Sequence, residues 1–310
     1  MRIRSAISFA ALAAMTALAP AAIGAEDPPS YASATEAYRQ GAAAMKSGQT
    51  EKALPALSYA AERGVLGAEL KLARIYARGD GVPRDDAKAF TYYQRIADQH
   101  AEIAPSSPVA KFVAEAFVAL GQYYRKGVPA IGLNSDPARA ADLYRHAASY
   151  FGNADAQYEL GRLYLAGDGV HKDVSLGANW LAAAAKKQDP EAQAKLGELL
   201  WNGDGIRKSR AKGLALITLA HENAKHSGKE PKWIEELYRE VTAKSDAGIR
   251  KEAEAIMPVW AGKAAPAIAA SMPKDDLAVT GEQLSGKGKA PPPQGMPVGF
   301  GAVTQDADPR

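Results

Sequence analysis

The sequence predicts an all-α fold: a right-handed α-α superhelical solenoid of about five helix-hairpin repeats, closed by a C-terminal capping helix and followed by a disordered tail. Three observations predict it. A motif returns at an interval of 36 residues, apolar residues within each copy recur at helical spacing, and the 310-residue chain is 47% hydrophobic, only 7% aromatic and free of Cys. Self-similarity at such a period marks stacked units, none of which can bury its apolar face alone.

The chain opens on Arg2 and Arg4, an apolar run over residues 7–18, and the small residues Ala22-Ile23-Gly24-Ala25 ahead of Glu26-Asp27-Pro28-Pro29. A positive start, an apolar stretch shorter than the ~20 residues of a membrane span and a small-residue cleavage point predict a Sec-type signal peptide over residues 1–25. Its removal places the mature protein in the periplasm, with 36 basic against 35 acidic side chains, compared with 38 against 35 in the whole chain. Residues 26–34 are a linker. That charge balance excludes nucleic-acid binding driven by counterion release. The absence of Cys excludes disulfide-stapled scaffolds, zinc fingers, cysteine-ligated iron–sulfur carriers and cysteine catalysis.

The repeat domain is expected over residues 35–230. Its first unit is short, marked by Gly41, Gly48, Ala53, Leu57 and Ala60, with a tight Lys46-Ser47-Gly48-Gln49 turn between two helices. The second carries Leu72-Ala73, Tyr76 and Gly79-Asp80-Gly81-Val82; the third carries Leu120-Gly121, Tyr124 and Gly127 with a longer loop. The fourth has Leu160-Gly161, Tyr164 and Gly167-Asp168-Gly169-Val170, and the fifth Leu196-Gly197, Leu200 and Gly203-Asp204-Gly205-Ile206. In each unit the small residue admits a closely crossing second helix, and residues such as Leu160, Leu163 and Tyr164 supply an apolar stripe. Gly-Asp-Gly ends the first helix, and Asp85 or Asp173 caps the second. Between the second and third units the spacing widens from 36 to 48, and the surplus holds His100 and Pro105-Ser106-Ser107-Pro108, a surface loop or an extra helical turn and a loop. Residues 231–257 read as a charged capping helix or two, with Pro231 in the first turn and Trp233, Leu237, Val241 and Ile249 buried. Residues 258–310 hold eight of the 19 Pro and seven of the 28 Gly, a composition that predicts disorder, with Pro291-Pro292-Pro293 favouring polyproline II.

The pattern Ala-x-x-x-Leu-Gly-x-x-Tyr-x-x-Gly-x-Gly-Val, then Asp, then Ala-x-x-Trp and Ala-Ala resembles the Sel-one-like repeat, a relative of the tetratricopeptide repeat, over residues 68–224. The wider layout, from a tetratricopeptide-like first unit through the insertion to Tyr123-Tyr124-Arg125-Lys126-Gly127, is similar over residues 36–257 to the periplasmic negative regulators of exopolysaccharide synthesis of rhizobia. The Pro-rich tail departs from that pattern. The resemblance implies a non-enzymatic protein whose partner is the periplasmic domain of a membrane sensor histidine kinase, held inactive by binding.

The residues themselves offer little chemistry. The five His (His100, His146, His171, His221 and His226) show no paired metal-ligand spacing. Ser209-Arg-Ala-Lys212 and Ser271-Met-Pro-Lys274 match the Ser-x-x-Lys of β-lactam hydrolases, but no Ser-x-Asn element accompanies them. The Gly-Asp-Gly loops lack the alternating oxygens of a calcium loop and the Lys-Ser/Thr of a phosphate loop. No catalytic residue, cofactor or metal is therefore expected. A protein-binding function is favoured, either the regulator or a scaffold for envelope and cell-wall proteins with the tail as tether, with a β-lactam hydrolase as the remote third reading. First-helix positions that packing does not need should face the concave surface: Tyr38, Arg74, Gln122, Arg125, Tyr158, Arg162, Glu198 and Trp201. Arg and aromatic side chains are those that interface hot spots favour.

Overall fold

A computed structural model describes residues 31–228 and 231–262. The expected signal peptide, most of the linker and, from residue 263, the tail lie outside the described residues. Five helix hairpins follow one another: α1 (Ala34–Lys46) with α2 (Thr50–Glu62), α3 (Leu66–Arg78) with α4 (Asp86–His100), α5 (Ala110–Lys126) with α6 (Pro137–Ser149), α7 (Ala154–Ala166) with α8 (Val174–Lys186), and α9 (Pro190–Asn202) with α10 (Arg210–Ser227). Two further helices, α11 (Lys232–Ala243) and α12 (Ala247–Trp260), close the stack against α9 and α10. Contacts run almost entirely between successive helices, which is the packing of a solenoid.

Sequence dictates the helix ends. Asp85, Asp136, Asn153, Asp173, Asp189 and Asp246 each accept the amide of the residue three further on, so an orphan donor at the helix start is satisfied. Gly79, Gly167 and Gly203 end α3, α7 and α9 in the left-handed conformation. Asp173→Ala is expected to cost about 1 kcal/mol, the ordinary value of such a cap, and to appear as a lower thermal midpoint with unchanged helical signal.

Small residues set the distance between paired helices. A Cβ on Gly197 would lie 2.6 Å from Ile217 Cγ1 and 2.9 Å from the Gly213 carbonyl, while one on Gly213 would meet the Gly197 carbonyl and the Trp201 amide nitrogen at 2.8 Å. α9 and α10 therefore touch backbone to backbone. Gly121 similarly faces the buried ring of Tyr144, and Ala73, fully buried, stands in the same register in the second unit. Above these crossings the cores are Ala-rich, with Leu57, Leu72, Phe117, Leu160, Leu181 and Ile217 fully enclosed.

One buried position varies in an informative way. Gln157 and Gln193, both buried, donate from Nε2 to the carbonyls of Ala148 and Ala185 at 3.2 Å, tying each first helix to the helix before it. The residue in the same register of the second unit is Glu69, with no accessible surface and neither carboxylate oxygen in a hydrogen bond. Burial raises its pKa, opposed in part by Arg95, whose Nη1 is 3.7 Å away.

The insertion is a loop over residues 101–109, pinned where the Glu102 carbonyl accepts from the Tyr150 hydroxyl at 3.4 Å and the Ala101 carbonyl lies 3.3 Å from His146 Nε2. At the far end two helices form, one of the two forms expected there, and the structure departs from expectation at Trp233. The capping segment is two helices, broken at residues 244–246, and Trp233 is 37% exposed while Ile234 is fully buried. Ile234, Leu237, Tyr238 and Val241 form the inward stripe, and a 3.6-residue period turns Trp233 away from it. Pro231 precedes the first turn, as the N-cap. The helix also runs past the expected limit at Met257, through Pro258 to Trp260. Pro258 withholds only the donor for the carbonyl of Glu254, an exposed residue, and burial of Trp260 holds the last turn.

The α8–α9 turn contains the one non-glycine residue with positive φ among the described residues, Gln188 at 66°. Its Nε2 donates to the Trp260 carbonyl at 2.7 Å, and its Oε1 accepts from Gln193 and from Asn223, each at 3.3 Å.

Candidate partner-binding groove

The first turns of α7 and α9 are acidic: Asp155 follows the Asn153 cap, and Asp189 caps a helix whose next residues are Pro190 and Glu191. Carboxylates are favoured at these ends because the helix dipole is positive there. Stacking of the two units brings these ends side by side. They form one wall of a groove of about 390 Å³ that is completed by Val118 and Gln122 of α5, Tyr158 and Glu159 of α7, Ser227 at the end of α10 and Pro231 before α11. Among the described residues four carboxylates line it, over an apolar floor of Val118, Tyr158, Pro190 and Pro231.

Burial pushes the Asp189 carboxyl up to about 6, against the pull of the Ala192 amide that donates to it at 2.7 Å. The Glu159 carboxyl is also raised by burial, although Arg125 and Arg162 both reach its Oε2 at 3.2 Å. Burial, and the negative charge of Glu191, hold the Tyr158 hydroxyl above the usual phenol range.

Of the eight residues expected on the binding face, Gln122 and Tyr158 meet in this groove. The three arginines are struts rather than an open row. Arg74 makes a two-pronged pair with Glu115 of the next unit, with Nε donating to Oε1 at 2.6 Å. Arg125 reaches Glu159 and, at 3.4 Å, Asp168 in the Gly-Asp-Gly loop of the next unit. Arg162 shares Glu159 from within its own helix. Glu198 pairs with Lys195 at 2.7 Å, away from the groove. Tyr38 covers Gly67, where a Cβ would come 2.9 Å from its hydroxyl. Trp201 is a correction: it is 7% exposed and belongs to the core, seated against Gly213 with the Arg210 guanidinium 5.5 Å from its ring centre. Its register was that of a surface position, yet the residue lies in the cluster of Leu196, Leu199, Leu216 and Ile217.

Sequence reasoning missed Asp155, Glu159, Asp189, Pro190, Glu191, Ser227 and Pro231. Their signal was present as the acidic first turns Asn153-Ala-Asp155 and Asp189-Pro190-Glu191, which are explained locally by capping. Their meeting depends on how two units stack.

Elsewhere the candidate chemistry resolves into structure. Ser209 stands at the start of α10, and Ser271 lies outside the described residues. His221 is buried, stacked on Tyr238 at 4.2 Å and 3.0 Å from Glu235. Among the described residues no group of three or more His, Asp or Glu is placed to hold a metal ion, and no helix is long and apolar enough to cross a membrane.

The Sel1 repeat matches at residues 67–100, 114–149, 154–189 and 190–222, which are the second to fifth hairpins. A relative in Rhizobium leguminosarum named "Exopolysaccharide production negative regulator" is 35% identical over 216 residues, 70% of this chain and 78% of that protein. The chain belongs to this family of Sel1-repeat regulators. A relative of the same name in Rhizobium meliloti is 41% identical over 149 residues, 48% of this chain, and the match spans 55% of that relative. Among solved structures, a protective antigen of uropathogenic Escherichia coli with an SLR fold is similar at a TM-score of 0.60 and 25% identity, covering 80% of this chain and 49% of that one. A Sel1 repeat protein from Oxalobacter formigenes has the same fold, with a TM-score of 0.55 and 23% identity over 75% of this chain and 89% of its own. The groove falls between the third, fourth and fifth hairpins and is bordered beyond the matched Sel1 repeats by Ser227 and Pro231.

Proposed function

We propose that this chain is a non-catalytic periplasmic protein that restrains exopolysaccharide production by binding the periplasmic domain of a two-component sensor histidine kinase and stabilising its inactive state. The observation that carries this reading is the match to 78% of a relative named for negative regulation of exopolysaccharide production. Sel1 repeats support the protein-binding part of it, since a stack of hairpins exposes a long continuous surface. Mechanistically, a binder shifts a kinase only by the difference in its affinity for the two states. The acidic groove is the contact surface in this reading, and it suits a partner with basic side chains.

In-cell crosslinking of the tagged full-length protein, with mass spectrometry of what is recovered from the envelope, is expected to return a sensor kinase as the leading partner. A deletion strain is expected to show raised polysaccharide output and raised phosphorylation of the cognate response regulator. Unchanged output together with unchanged phosphorylation would sink the proposal.

A further inference from the structure

The groove has a candidate occupant in the same chain. The last described helix ends at Trp260, and the Trp260 carbonyl is held at 2.7 Å by the side chain of Gln188. The next residue after Gln188 is Asp189, which lines the groove, followed by Pro190 and Glu191. The described chain therefore ends beside the mouth of the acidic groove, with 48 residues of sequence to follow.

Those residues are not uniform in charge. The acids Asp275, Asp276, Glu282, Asp306 and Asp308 stand at its two ends, and between Glu282 and Asp306 there is no acid at all. That interval holds Lys287-Gly-Lys289-Ala-Pro291-Pro292-Pro293, two cations followed by a run that favours the extended polyproline II shape. The groove is complementary on both counts: Asp155, Asp189 and Glu191 for the cations, and Tyr158, Pro190 and Val118 for the proline faces. Proline-rich segments characteristically dock against aromatic side chains, with little ordering entropy to lose. Reach is no obstacle, since the 25 residues from Gly262 to Lys287 would span about 25–30 Å root-mean-square as a flexible chain. Tethering also raises the local concentration of the segment to roughly the millimolar range, so that weak contacts suffice.

We infer that residues 284–293 occupy the acidic groove of their own chain, so that the surface offered to a partner is covered by an intramolecular, basic, proline-rich segment until it is displaced. The regulatory consequence rests on the proposed partner reading; the intrachain contact does not, and it is tested with no partner present.

Because the 310-residue chain has no Cys, a single Ala290→Cys substitution carries a nitroxide label at one place. Docking is expected to broaden the amide resonances of Gln122, Tyr158 and Glu191 selectively and to spare those of α1 and α2, with no dependence on protein concentration. The pair Asp155→Lys and Glu191→Lys is expected to abolish that broadening while circular dichroism stays unchanged, and Lys287→Glu with Lys289→Glu in the same chain to restore it. Absent or uniform broadening, broadening centred elsewhere, or failure of the charge swap to restore it would overturn the inference. Broadening that grows with concentration would also overturn it, by assigning the groove to the tail of a second copy. If the intrachain contact holds but the tail does not compete with a captured kinase domain, the partner reading fails and the docking stands.

Discussion

Gly213→Val is expected to destabilise the C-terminal third of the solenoid by about 3 kcal/mol, at the upper end of what overpacking a tight contact usually costs. The reason lies in what the new atoms would strike. The nearest three atoms are the Gly197 carbonyl oxygen at 2.8 Å, the Trp201 nitrogen at 2.8 Å and the Trp201 Cα at 3.0 Å, all backbone. A clash with a flexible side-chain end is relieved by a rotation, whereas this one is relieved only by moving α9 away from α10. That separation would open the layer containing Leu196, Trp201, Leu216 and Ile217. Valine replaces glycine at no propensity loss in a helix, so helix formation itself does not account for the effect. Gly248→Ala in α12 is the control, because its Cβ would meet nothing closer than the Asp246 carboxylate at 3.3 Å. Thermal unfolding should show a lower midpoint for Gly213→Val and not for Gly248→Ala. Stability in a stacked array is a sum of units and interfaces. Hydrogen exchange should therefore speed up in α9–α12 and leave α1–α4 protected. Uniform loss of protection, or none, would refute the backbone-contact account.

The second large effect runs the other way: Glu69→Gln is expected to stabilise the protein by about 1–2 kcal/mol at pH 7, roughly the worth of a buried hydrogen bond restored to an unsatisfied site. The register is fixed by three matching turn bonds, in which Val65, Asn153 and Asp189 donate to Ala60, Ala147 and Ala184. The acceptors of Gln157 and Gln193 are each the next residue, Ala148 and Ala185, so the acceptor facing Glu69 is the Ala61 carbonyl. An ionised carboxylate has no proton to offer it; an amide does. Arg95 loses a partner in the exchange, but it is partly exposed and lies over the Tyr92 ring, so its side chain stays supported. The pH dependence carries the sign. A carboxyl whose folded pKa is raised above the ordinary 4.5 stabilises the fold below that value and loses this contribution as pH rises through its folded pKa. The advantage of Gln should accordingly shrink on acidification to pH 4. Urea midpoints at the two pH values check it, and an equal gain at both would remove the argument.

How much of this could be read from the chain divides along physical lines. The hairpins were legible because each is written locally: Leu160-Gly161 and Leu196-Gly197 mark the crossings, Gly-Asp-Gly marks the turns, and caps such as Asp173 precede the second helices. The third unit kept its register despite a longer loop containing a short 3-10 turn, Pro129–Ile131. The groove was not legible, because it is made between units. Arg125 and Glu159 are 34 residues apart and Arg74 and Glu115 are 41 apart, so a reading of one helix at a time leaves the arginines open and the acids unexplained. Trp201 failed for a related reason, its burial being decided by packing against α10 residues such as Leu216 and Ile217. Trp233 was within reach, since the stripe of Ile234, Leu237, Tyr238 and Val241 excludes it.

Gln188 makes a final point about what averaging would erase. Glycine occupies the left-handed place in the α1–α2, α2–α3 and α6–α7 turns, at Gly48, Gly64 and Gly152. A designer regularising the array toward its consensus would write glycine at 188 too and would gain an easier turn. The same edit would unlatch Trp260 from Asn223 and Gln193, which stay joined to each other at 2.9 Å. The odd repeat is where this array tells its own end apart from its middle: backbone comfort in one turn is given up so that the last helix, and the chain that continues from it, is fastened at a single address.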